Sequence, residues 1–82
     1  MSQVIRSARQ LGTFIHNERA NRNLSQQALA DLMGTGQKTI SKIENGSDGT
    51  KLETIFSLLA VLDLEVHLAP RSKGGRSMGD IF

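Results

Sequence analysis

Apolar residues recur at helical spacing from the start of the chain to about residue 62 and are interrupted by capping residues and glycines. Ser7 and Gln10 have the spacing of a capping box, which predicts that a first helix begins here and runs to about Arg22. Its apolar face comprises Ala8, Leu11 and Ile15, with Phe14 beside them. Asn23 follows as the predicted exit residue, because asparagine tolerates a left-handed backbone.

Two further short helices follow. Ser25 is the predicted N-cap of a helix from Gln26 to about Met33. The residues expected to face the core from this helix are Ala28, Leu29 and Leu32. A turn over residues 34–36 with two glycines leads to a third helix, about Gln37–Asn45. Its predicted core residues are Ile40 and Ile43, and its polar residues are left exposed: Gln37, Lys38, Ser41 and Lys42. Glu44 is expected to have a structural role as the partner of a nearby basic side chain, for which Arg19 is the best candidate.

The pattern changes in the last third of the chain. Thr50 and Glu53 form a second predicted capping box, which opens a fourth helix to about Leu62. Its stripe of Leu52, Ile55, Leu59 and Leu62 is joined by apolar residues on its other faces. A helix that is apolar nearly all round must be buried on more than one side, so we expect a second chain to cover it.

After Asp63 apolar and polar residues alternate to Ala69, which predicts one half-buried strand that Pro70 ends. A lone strand leaves backbone donors and acceptors unpaired, so we expect it to pair with the same segment of a second copy. The predicted homodimer interface consists of Phe56, Val61, Leu64, Val66 and Leu68. The predicted organisation is an N-terminal arm (1–6), a helical domain (7–63), a dimerisation strand (64–69) and a flexible tail (70–82).

The tail is Gly-rich and polar until its last two residues, Ile81 and Phe82. One interpretation is simple disorder. The other is an apolar hook that docks on a partner protein, since a disordered segment usually avoids apolar residues. Its residues would be Met78, Ile81 and Phe82.

Composition narrows the function classes. The 82 residues contain no cysteine, which excludes a disulfide, a thiolate metal site and a cysteine nucleophile. The two histidines lack metal-like spacing, and a chain this short offers little room for a catalytic pocket, so we expect no enzyme, metal or cofactor. The N-terminus lacks the apolar core of a signal peptide, and no apolar run reaches the ~18 residues that span a membrane. A cytoplasmic protein is therefore expected, and its net charge of +2 is compatible with nucleic acid.

The second and third helices, with a short glycine-containing turn, are the elements of a DNA-binding helix-turn-helix. Gln37 could bond adenine with both groups of its amide, and Lys38 could reach guanine or a phosphate. Ser41 adds a hydrogen bond one turn later, while Lys42 and the amides near Gln26 suit phosphates. The alternative is three packed helices whose lysines form a solvated face. A phosphate-binding loop at residues 34–39 is disfavoured, because Gln37 separates glycine from lysine and a helix precedes.

Three segments carry a family resemblance: LSQQALA at 24–30, MG at 33–34 and QKTISKIENG at 37–46. They resemble the Xre/Cro/phage-repressor family over about residues 7–63. The resemblance implies an all-α, four- to five-helix phage-repressor-like helix-turn-helix domain, here with a short C-terminal strand that pairs across a homodimer. It also implies that Gln26 bonds a phosphate and supports Gln37, which reads a base. Lys38, Thr39 and Ser41 would lie along the groove, and Asn45 would touch the backbone. Gly36 departs from the Ser or Thr that often caps this third helix.

The helix-to-strand ending and short tail are similar to those of HipB-type antitoxins. That similarity implies a repressor that binds a palindromic DNA operator as a homodimer. It also implies that the repressor binds a HipA-like serine/threonine kinase toxin. The alternative is a stand-alone Xre-type transcriptional regulator without a toxin partner.

Overall fold

The computed structural model describes residues 3–71, which form an all-α domain of four helices. In chain order these are α1 (Ala8–Asn21), α2 (Gln26–Met33), α3 (Gln37–Glu44) and α4 (Leu52–Val61). The bounds predicted for α2 are confirmed, and those of α1 and α3 differ by one residue at their C-terminal ends. Within the described range no helix is long and apolar enough to cross a membrane.

Serine caps fix the starts of the first two helices. Ser7 Oγ accepts from the Gln10 N–H at 3.0 Å, and Ser25 Oγ accepts from the Ala28 N–H at 2.9 Å. The Gln10 side chain accepts from the N–H of Arg6 rather than from that of Ser7, so the predicted box is only half formed. The N-cap residues of α3 and α4 are Gly36 and Lys51, and neither makes a side-chain capping bond. The capping box predicted at Thr50 is therefore wrong.

A residue in the left-handed conformation follows each of the four helices, and after α3 it is Gly46, with a φ of 81°. Asn23 has a φ of 58°, which confirms it as the exit from α1, and Asp63 takes the same conformation after α4. Gly34 has a φ of 74° and turns the chain from α2 towards α3. A glycine suits this position because a Cβ is disfavoured in the left-handed region.

The core lies between all four helices. Its fully buried large side chains are Ile15, Leu29, Ile40, Leu58 and Leu62. Gly12 lets α1 approach α3 closely, because a Cβ at this position would lie 2.5 Å from the carbonyl oxygen of Ile43 and 2.6 Å from that of Glu44. Both neighbours are backbone atoms, so the contact fixes the C-terminal end of α3 against α1.

Two residues predicted to face the core are exposed: Leu32 to 63% and Leu52 to 68%. The buried arc of α2 is centred between Leu29 and Ala30, and at about 3.6 residues per turn Leu32 lies about 110° from that centre. Leu52 is the first residue of α4, whereas the buried side chains of that helix come from its second half. In α4 the rest of the predicted stripe is confirmed, since Leu59 and Leu62 are buried and Ile55 packs against the core. The prediction is wrong for Leu32 and for Leu52 alone.

Residues 64–71 have no regular secondary structure in the single chain. The N–H of Leu64 donates to the carbonyl of Leu59 at 2.8 Å, and its side chain packs against the core. Val66 and the 93% exposed Leu68 have no such cover. The strand predicted here needs a second strand to pair with, so it stays a prediction.

Candidate nucleic-acid interface

The third helix presents a polar surface opposite the side that anchors it. Ile40 and Ile43 are buried, whereas Gln37, Lys38 and Lys42 are exposed. Positions 37, 41 and 45 follow one another at i, i+4 spacing, as do 38 and 42, so these side chains are neighbours on one side of the helix. The structure therefore brings the polar residues expected from the sequence onto one surface.

The other predicted contact residues of this region have hydrogen-bond contacts within the chain. Thr39 is half-buried, and its hydroxyl accepts from that of Thr35 at 3.2 Å, which braces the turn before α3. Asn45 is the C-cap of α3, and its Nδ2 lies 3.5 Å from Ser41 Oγ. Thr39 therefore has a local structural contact that the sequence did not reveal.

The first residues of α2 and α3 are in direct contact. Gln37 Nε2 donates to Gln26 Oε1, so one glutamine side chain supports the other. Gln26 is half-buried and Gln37 is exposed. This is the pairing that the family resemblance implies, and it orients the side chain expected to meet a base.

The carboxylate of Glu44 lies at the junction of three helices, and its side chain is only 4% exposed. Arg19 from α1 donates to it through two nitrogens, Nε to Oε2 at 2.6 Å and Nη2 to Oε1 at 3.1 Å. Gln26 Nε2 from α2 donates to Oε1 at 3.0 Å, and His16 Nδ1 lies at 3.0 Å from the same oxygen. The predicted Arg19–Glu44 pair is confirmed, whereas the contacts of His16 and Gln26 were not expected.

Burial alone raises the pKa of the Glu44 carboxyl, because a charge is costly away from water. The hydrogen bonds from Arg19, Gln26 and His16, together with the charge of Arg19, outweigh that effect, and the pKa is lowered. The hydrogen bond to Glu44 raises the pKa of Arg19 in turn. The junction therefore holds a fully ionised pair at neutral pH.

Arg19 of α1 and Arg22, the C-cap of that helix, also bond backbone carbonyls outside the helix. Arg19 Nη1 donates to the carbonyl of Leu24 at 2.6 Å, ahead of α2. Arg22 Nη2 donates to the carbonyl of Leu62 at 2.7 Å, at the end of α4. Neither bond could be read from the sequence, because a backbone carbonyl is an acceptor at every residue.

The predicted dimer-interface residues lie outside this surface. Phe56, Val61, Val66 and Leu68 are exposed, and Leu64 is half-buried. The predicted hook residues Met78, Ile81 and Phe82 lie outside the described residues. Residues 3–71 contain no cluster of His, Cys, Asp or Glu able to hold a metal ion.

We predict that Glu44 makes the fold acid-sensitive. Its pKa is lower in the folded chain than the ordinary 4.5, so its stabilisation is fully present above that pH and is lost as the pH falls through the folded-state value. Urea unfolding at about pH 7 and about pH 3 measures this loss in free energy. E44Q should be less stable at neutral pH and should lose less on acidification. E65Q, at an exposed carboxylate, should behave like the wild type. Equal acid losses in E44Q and the wild type would contradict the prediction.

The chain is similar to known proteins in sequence and in fold. A helix-turn-helix family model matches residues 15–68. The antitoxin HipB of Escherichia coli O6:H1 is 38% identical over 66 residues, which are 80% of this chain and 70% of the relative. HipB of Escherichia coli K12 is equally identical over 66 residues, 80% of this chain and 75% of that protein.

Solved structures with a similar fold include a chain of a HipB complex, in agreement with the relatives found by sequence. A chain of a HipA–HipB–O2–O3 complex superposes with a TM-score of 0.78 at 36% identity, covering 84% of this chain and 97% of that one. The restriction-modification controller protein C.AhdI of Aeromonas hydrophila has a TM-score of 0.64 at 29% identity, covering 71% and 84% of the two chains. The chain therefore belongs to the helix-turn-helix family, and within it to the group of the HipB antitoxins.

Proposed function

We propose that this chain is a DNA-binding transcriptional repressor of the HipB antitoxin type, which binds a palindromic operator as a homodimer. The observation that carries the proposal is the exposed polar surface of α3, with Gln37 held by Gln26 at the start of the motif. A major groove about 12 Å wide admits such a helix. The relatives named above support it, since one of them occurs in a HipA–HipB–O2–O3 complex.

The contact residues divide into two roles. Gln37, Lys38 and Ser41 read base edges, while Thr39 lies along the groove. Gln26, Lys42 and Asn45 contact phosphates, which fix the position of the helix on the duplex without reading sequence. The exposure of Lys38 and Lys42 at neighbouring turns of α3 supports their assignment to DNA rather than to the core.

The homodimer forms through α4 and residues 64–69. Support comes from the exposure of Phe56, Val66 and Leu68, which a monomer leaves in contact with water. Strand pairing between two copies would satisfy the backbone groups of this segment. Two α3 helices would then enter successive major grooves about 34 Å apart on a two-fold-related site.

A HipA-like serine/threonine kinase toxin is the proposed protein partner, bound by the tail residues Met78, Ile81 and Phe82. The occurrence of the relative HipB with HipA in one complex supports such a partner. The alternative is a stand-alone regulator of the same family. Its support is the similarity in fold to the controller protein C.AhdI.

We predict that Q37A relaxes sequence preference. Loss of a bidentate contact should lower discrimination by about 1–3 kcal/mol at one base pair. Selection from random duplexes, followed by titration of single-base variants, measures it. K42A is the matched control: it should weaken binding to all duplexes alike and reduce the salt dependence by about one ion. Unchanged preference in Q37A would exclude Gln37 as a reader.

We predict that V66D converts a dimer into a monomer. A buried carboxylate at the centre of the paired strands is costly without a partner. Sedimentation at micromolar concentration should give a dimer for the wild type and 8.9 kDa for the variant. H67D is the control, because neighbouring residues of a strand point to opposite faces. A monomeric wild type, or equal effects of both variants, would contradict the strand pairing.

We predict that replacing Met78, Ile81 and Phe82 by serine weakens the complex with a HipA-like kinase. Loss of three apolar contacts should reduce co-purification, while operator binding stays unchanged because α3 is intact. Undiminished co-purification would exclude the hook. Absence of any complex with the full chain would favour the stand-alone regulator.

A further inference from the structure

The geometry points to Glu44 as a positioning residue that sets base specificity at a distance. It fixes the amide orientation of Gln26, and through Gln26 that of Gln37, so that Gln37 prefers adenine to guanine. This inference rests on the proposed DNA-binding function and adds a residue with no predicted DNA contact. Two observed hydrogen bonds carry it, Gln26 to Glu44 and Gln37 to Gln26.

The direction of both bonds follows from the chemistry of Glu44. An ionised carboxylate only accepts hydrogen bonds, so Gln26 must turn its NH₂ group towards it. The carbonyl oxygen of Gln26 then faces Gln37, and Gln37 must present its own NH₂ group in response. The lowered pKa of Glu44 keeps the carboxylate in the accepting form at neutral pH.

Gln37 is thus left with one outward N–H and its carbonyl oxygen. This pair matches the major-groove edge of adenine, which offers an N7 acceptor and an N6–H donor. Guanine presents two acceptors, N7 and O6, so the carbonyl oxygen of Gln37 would oppose O6. Reversing the amide exchanges its donor and acceptor positions, which removes the match with adenine.

A pair of glutamines without the carboxylate has no fixed direction. Either amide can donate to the other, since each carries both an NH₂ group and a carbonyl. Glu44 removes this freedom, and Arg19 holds Glu44 in place from the other side at 2.6 Å. The polarity of the base-reading side chain therefore originates in the buried junction of α1, α2 and α3.

The test compares the full-length wild type with E44Q. The probes are two duplexes from selection, which differ only in carrying A·T or G·C at the position where Q37A loses its preference. The wild type should favour the adenine duplex by about tenfold or more. In E44Q the side chain at position 44 is an amide, which can donate as well as accept. Both orientations of the Gln26 and Gln37 amides are then possible, and the ratio of the two dissociation constants should fall towards one.

R19K is the matched control for the damaged ion pair. It loses the two-nitrogen contact of the guanidinium with Glu44 and the bond to the carbonyl of Leu24. It leaves a charged Glu44 in contact with Gln26. R19K should therefore lower the melting temperature while keeping the adenine preference. A purely structural role of Glu44 would lower stability in both variants and leave the ratio unchanged in both, which would overturn the inference.

Q26M keeps the test decisive where E44Q fails to fold, because it leaves the Arg19–Glu44 pair intact. It should also lose the adenine preference. Where E44Q does fold, adding it to Q26M should change the ratio no further. An unchanged ratio in Q26M contradicts the relay. A wild type that selects no duplex contradicts the proposed function itself, whereas a selective wild type with an equally selective E44Q contradicts the inference alone.

Discussion

The buried carboxylate of Glu44 is the interaction on which the arrangement of the first three helices depends. A charge with 4% of its side chain exposed is costly unless it is paired and hydrogen-bonded. Arg19 and Gln26 bond it from two different helices, so the two bonds restrict how α1 and α2 can be placed around the end of α3. Non-directional apolar packing alone would permit several such placements.

Gly12 adds a second constraint that acts in a different direction. Its missing Cβ allows the backbone of α1 to approach the carbonyls of Ile43 and Glu44. Gly46, just after α3, allows a similar approach to Arg9, since a Cβ there would lie 2.9 Å from the Arg9 Cα. The two glycines set the distance between α1 and α3. The bond between Glu44 and Arg19 sets how the two helices are aligned along their length. Together they fix the position of α3 against α1, and with it the position of the polar surface.

Much of this arrangement could be predicted from the sequence because local chemistry decides it. Ser25 and Gly34 set the two ends of α2, and opposite charge suggested Arg19 for Glu44. Features that depend on tertiary direction could not be predicted. The spacing of Leu32 defines a stripe, but the positions of α3 and α4 decide which side of α2 is covered. The bond between Gln26 and Glu44 joins residues 18 positions apart, and polar residues at such a distance give no periodic signal.

The polar face of α3 and the apolar surface around Phe56, Val66 and Leu68 differ in how far the single chain supports them. Residues of the same chain support α3 from its buried side, and Gln26 holds the amide of Gln37 without any DNA present. The surface around Phe56, Val66 and Leu68 has no such internal cover. A second copy placed there would not need to build the reading surface. Its contribution would be the distance and angle between two finished surfaces, which a two-fold-related operator requires.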